Sequence, residues 1–140
     1  MSGTAGHLPP APSSLRRGSA AAWLLAVRPR TLPASVAPVL LGTALAAADG
    51  SARGGIALAA LGTALCLQIG SNLANDVFDF ERGADGPDRI GPVRAAAQGL
   101  LRPAELRAAS AAAFAAACAF RSVLVWAGGW PFAILGALCV

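Results

Sequence analysis

An all-α fold of the polytopic transmembrane helix-bundle class is what the sequence predicts, and three observations predict it. Of its 140 residues, 56% are hydrophobic and only 13% charged, where a soluble domain carries about a quarter charged residues. The mean hydropathy is +0.60. Uncharged apolar runs of spanning length recur along the chain, separated by short polar segments. The 16 glycines and many alanines suit helices that approach backbone to backbone in lipid. Every one of the 11 basic residues is arginine, which together with the alanine content reads as a compositional bias of the genome. The net charge of +4 carries no basic stripe interleaved with aromatics, so a nucleic-acid partner is not expected.

Residues 1–20 read as a disordered tail, rich in Pro, Ser, Gly and Ala with Pro9, Pro10 and Pro12 close together. Residues 21–140 then form one membrane domain. Arg16 and Arg17 ahead of an apolar stretch resemble a signal sequence, with Ala46–Ala48 as a cleavage site. Arg28 and Arg30 interrupt that stretch, and more membrane-like sequence follows, so the segment is read as retained. The first span is expected from about Thr31 to Ala48, with a kinked or irregular start from Pro33 and Pro38. Asp49–Arg53 reads as a tight turn. The second span starts near Gly54, stays apolar to about Ala74 and continues as a helix into polar residues. A loop rich in Gly, Pro and Arg covers Gly83 to Pro103. The third span runs from about Ala104 to Ala127, ahead of a turn at Gly128-Gly129-Trp130-Pro131. The apolar run from Phe132 to Val140 is too short to cross a core of about 30 Å. It either folds back or belongs to a longer protein, and the second reading is preferred.

Arg16, Arg17, Arg28 and Arg30 precede the first span, and Arg82, Arg89, Arg94, Arg102 and Arg107 surround the loop after the second. Arg53 alone occupies the first connecting turn. This asymmetry predicts that the N-terminus and the long loop face the cytoplasm. Cys66, Cys118 and Cys139 lie in separate apolar runs and His7 is the sole histidine, so neither a disulfide framework nor a Cys/His metal site is expected.

The chemistry concentrates at the end of the second span, in QIGSNLANDVFDFERGADGPDRIGPVR from Gln68 to Arg94. At 100° per residue, Gln68, Asn72, Asn75, Asp76 and Asp79 share an arc of about 100°, while Leu73, Val77, Phe78 and Phe80 cover other faces. Acids beside hydrocarbon are costly unless they face a polar cavity or an ion. Hard oxygen ligands suit Mg²⁺, which takes one or two protein carboxylates and completes its shell with phosphate oxygens. Asp76 and Asp79 are the candidate catalytic and metal-binding acids, and Asp85 adds a third candidate ligand. Arg89 and Arg94 supply permanently charged planar forks of the kind that grip phosphate. Together these residues suggest a lipid diphosphate held through Mg²⁺. The plainer readings are a solvated helix end at Asp76–Arg82, arginines that only set topology, and Gln68 and Asn72 bonding neighbouring helices. Arg121, inside the third span, is read as snorkelling or facing the bundle interior.

These residues carry a resemblance. Arg28-Pro29-Arg30-Thr31-Leu32-Pro33, Asn72-Leu73-Ala74-Asn75-Asp76-x-x-Asp79, Gly83-x-Asp85 and Asp88-Arg89-x-Gly91-Pro92-x-Arg94 resemble the 1,4-dihydroxy-2-naphthoate polyprenyltransferases of menaquinone synthesis, within the UbiA-type superfamily. The resemblance covers about Trp23 to Val140. Much of the superfamily carries its third acid where this chain has Gly83; the displacement to Asp85 is similar to the naphthoate branch. The resemblance implies a bundle of about nine spans around a central cavity, of which this chain would supply the N-terminal three to four helices. It also implies a second aspartate-rich motif on a later helix, which this sequence lacks. It further implies Mg²⁺ at Asp76, Asp79 and Asp85, with Asn72, Asn75, Arg89 and Arg94 binding substrate. The substrates implied are a polyprenyl diphosphate and an aromatic acid, in a multi-pass protein of the plasma membrane. A sister enzyme acting on 4-hydroxybenzoate or a porphyrin, and a non-catalytic membrane protein, are the alternatives.

Overall fold

The computed structural model describes residues 15–83, 94–131 and 133–134. Most of the expected tail and the candidates Asp85 and Arg89 lie outside the described residues. The elements are α1 (Ala20–Val27), a 3-10 turn (Pro29–Thr31), α2 (Leu32–Ala48), α3 (Gly54–Glu81) and α4 (Pro103–Gly128). The fold is all-α, and no strand occurs among the described residues. Three stretches are long and apolar enough to cross a membrane: Ala20–Ala48, Gly54–Glu81 and Pro103–Gly128.

Local signals account for the boundaries. Ser19 caps α1, its Oγ accepting from the Ala22 amide at 3.2 Å, so helical structure starts ahead of the span expected from about Thr31. Gly18, within the expected tail, donates its amide to the Leu100 carbonyl at 2.9 Å. α1 closes at Arg28, whose amide makes the last helical bond to the Leu24 carbonyl and whose left-handed backbone (φ 55) turns the chain out of the helix. The irregular start expected of the first span appears as the 3-10 turn, and Pro38 is carried inside α2. Gly50, with φ +70, ends α2 by donating to the Ala47 carbonyl while Ser51 donates to that of Ala46. α4 opens with proline at its first position, where the missing N–H costs nothing. Glu105 reaches back to accept the Arg102 amide at 2.8 Å, one half of a capping box. Trp130 and Pro131, read as part of a turn, are helical in the structure, and the reversal rests on Gly129 with φ +77.

The chain divides into two compact units. The first joins α1, the end of α3 from Ser71, and the segment from Arg94 to Ser110. Its core contains Ala22, Ala26, Leu73, Val77, Leu101 and Leu106. The second holds α2, α3 up to Gly70, and α4 from Ala111. Here α3 and α4 run antiparallel with aromatic rings laid on glycines, Phe120 on Gly62 and Phe114 on Gly70. A Cβ built on either glycine would lie 2.8–2.9 Å from the ring, so only glycine admits this approach. Leu40, Leu41, Leu45 and Leu58 point outwards, each at least 60% exposed, as lipid-facing residues of spanning helices do.

A candidate diphosphate site at the end of α3

The site is two turns of α3 together with the segment that starts at Arg94. Helical spacing divides the polar column by depth. Asn72 and Asp76, one turn apart, are buried beside Leu73 and Val77. Asn75 is exposed, and the Asp79 side chain is 31% exposed. Gln68, placed in the same arc by periodicity, is half-buried and belongs to the second unit.

Each buried group has a definite partner. The Asn72 amide nitrogen donates to the Val27 carbonyl at 2.8 Å, which ties the end of α1 to α3. The Asp76 carboxylate is 1% exposed. Its Oδ2 accepts from the Ala95 amide at 3.1 Å and its Oδ1 from the Ala96 amide at 3.2 Å. Both amides begin a tight turn in which Gln98 donates to the Arg94 carbonyl and Leu100 to that of Ala95. Such orphan amides at the start of a turn are natural partners for an anion. Arg94, itself buried, donates to the Asn75 carbonyl and forms an ion pair with Asp79. Two cations act on the Asp76 carboxylate, Arg94 and then Arg28. At the rim, Glu81 pairs with Arg107 at 3.1 Å, and Arg82 sits 5.9 Å from the Phe78 ring centre.

Of the expected site residues, the structure therefore gathers Asn72, Asn75, Asp76, Asp79 and Arg94 around one helix end, whereas Asp85 and Arg89 fall outside the described residues. Sequence reasoning missed the Ala95 and Ala96 amides, because backbone donors leave no side-chain signature. It also assigned Arg28 only to topology and to a motif. A non-glycine residue in the left-handed region, just after an apolar helix, is the feature that marks it. A cleft of about 380 Å³ in the second unit, lined by residues such as Pro38, Thr43, Arg53 and Ile56, contains none of the candidate acids.

Among the described residues no cluster of three or more His, Cys, Asp or Glu side chains is formed. A phosphate-bridged Mg²⁺ needs only one or two protein carboxylates. Asp79 meets that need, being partly exposed and held by a side chain that itself suits phosphate. The residues fit such an ion as one half of a site.

Three apolar helices of spanning length make this a multi-pass membrane protein, and it carries an acid–arginine cluster at a helix end. The profile of the UbiA prenyltransferase family matches residues 35–140, and the chain belongs to that family. Three relatives carry the name 1,4-dihydroxy-2-naphthoate octaprenyltransferase. The Escherichia coli protein is 49% identical over 88 residues, covering 63% of this chain and 29% of the relative. The Mycobacterium tuberculosis protein is 41% identical over 123 residues, 87% of this chain and 41% of its own length. The Bacillus subtilis protein is 33% identical over 114 residues, 81% of this chain and 36% of the relative. The chain thus spans between 29% and 41% of the length of these relatives. No solved structure matches it.

Proposed function

We propose that the whole protein transfers a polyprenyl group from a polyprenyl diphosphate to 1,4-dihydroxy-2-naphthoate, with loss of CO₂, in menaquinone synthesis. The observation that carries this reading is an acid–arginine cluster at a membrane helix end, in a chain whose named relatives are all naphthoate octaprenyltransferases. In the reaction the allylic C–O bond breaks and the diphosphate leaves with the electron pair. A ring carbon of the naphthoate then bonds to the allylic carbon. The carboxylate departs as CO₂, its bonding electrons remaining with the ring.

Each residue's part follows from its place. Asp79 is the exposed carboxylate that would hold Mg²⁺, with Asp76 behind it and Asp85 as a further ligand. Bound Mg²⁺ supplies positive charge opposite the departing diphosphate. Arg94, which also donates to the Asn75 carbonyl, would turn its fork to a phosphate oxygen or to the acceptor's carboxylate. Arg89 joins that clamp. Asn72 keeps α1 against α3, and Asn75 presents its amide beside Asp79. Apolar helix faces keep water from the allylic cation. The arginine distribution supports a cytoplasmic N-terminus and a site on the cytoplasmic side of the plasma membrane.

The test is transfer by the full-length protein in membranes, with naphthoate, 4-hydroxybenzoate and a porphyrin offered side by side. Prenylated naphthoate, lost on chelation of Mg²⁺, is expected. Preferential labelling of another acceptor would move the protein to a sister activity.

A further inference from the structure

We propose that Asp76 is a positioning residue: its buried carboxylate grips the Ala95 and Ala96 amides and so sets Arg94 against Asn75 and Asp79, leaving Asp79 to meet the ion. The inference rests on the proposed prenyl-transfer reading and divides the work of its two acids. Asp76 and Asp79 stand on the same turn, yet their surroundings differ in kind. Asp76 is 1% exposed, and each of its oxygens already accepts a backbone N–H. Asp79 is 31% exposed and its partner is a side chain, which can swing away when a cation arrives. A carboxylate held by two consecutive amides is fixed in rotation, and turning it to an ion would orphan both donors in a buried place. The held segment is continuous with Arg94, whose guanidinium reaches the carbonyl of Asn75 and the carboxylate of Asp79. Residues 94–96 therefore lie along residues 75–79 through one set of contacts, with Asp76 at its centre. Ala95 and Ala96, at 0% and 3% exposure, leave no room for water to take over the amides.

Hydrogen exchange on the full-length protein in detergent or nanodiscs tests this. The amides of Ala95 and Ala96 are followed with and without Mg²⁺ and a short prenyl diphosphate. Wild type is expected to protect both amides under either condition. Asp76→Ala should speed their exchange by about tenfold or more, the mark of a lost local restraint. Asp76→Asn, which keeps one accepting oxygen, should fall between. In turnover, Asp76→Asn should raise the KM for prenyl diphosphate while the Mg²⁺ concentration for half-maximal rate stays put; Asp79→Asn should raise that Mg²⁺ requirement. The proposal is overturned if Mg²⁺ and prenyl diphosphate deprotect the two amides in wild type. It is equally overturned if Asp76→Asn raises the Mg²⁺ requirement and leaves exchange unchanged. The exchange arm needs no turnover: failure of the functional reading appears as absent transfer in wild type, failure of this one as unprotected amides.

Discussion

Arg94 joins the two levels at which single residues act in this site. It is buried, yet its partners are a carbonyl and a carboxylate on the neighbouring helix, so the chain holds a cation where a diphosphate would need one. Lysine in its place keeps the charge and loses the fork. Arg94→Lys is therefore expected to lower kcat/KM for prenyl diphosphate by about tenfold or more, read by steady-state kinetics, with a smaller effect on folding. Asn72 acts through structure: Asn72→Ala leaves the half-buried Val27 carbonyl short of a donor. About 1–3 kcal/mol of stability should go, measured by denaturant or thermal unfolding in detergent. That the acids and Asn72 share one polar column on α3 was legible because polar residues inside an apolar run are costly in lipid. Their partners were not, since Ala95, Ala96 and Val27 contribute only main-chain atoms.

Among elements, α3 and α4 show how far composition predicts packing. Glycines in an apolar helix announce close approach, but not which ring fills the gap. Phe120 over Gly62 and Phe114 over Gly70 supply that answer. Gly62→Ala and Gly70→Ala should each destabilise the pair by about 1–3 kcal/mol, the cost of forcing a methyl into a packed contact. Gly42→Ala and Gly55→Ala, with nothing near the added carbon, should be neutral or mildly stabilising in the same unfolding assay. The spans were readable almost to their ends, since hydrophobic length and the turn residues at Asp49–Arg53 determine them. The early start at Ala20 was not: Arg28 and Arg30 break the apolar run in sequence, whereas in space the left-handed Arg28 and a 3-10 turn carry the chain past them. A charged residue ends a hydropathy window without ending a helical region.

For the whole molecule, the arginines and the exposed leucines describe a protein whose partners include the bilayer. If the Arg-rich loop is cytoplasmic, a reporter at the Asp49–Arg53 turn must lie outside and one at the Arg94–Arg102 turn inside; the reverse labelling would refute that orientation. The chain spans between 29% and 41% of the length of these relatives, and the activity is proposed for the whole protein. The central claim is that the acid at the open end of α3 serves prenyl transfer. Its most direct measurement is the rate of labelled polyprenyl transfer to 1,4-dihydroxy-2-naphthoate by membranes holding the full-length protein, wild type against Asp79→Ala, at saturating Mg²⁺. A fall of about 100-fold or more at equal expression is predicted, the scale of losing a group that stabilises developing charge. Transfer by Asp79→Ala at the wild-type rate would contradict the account.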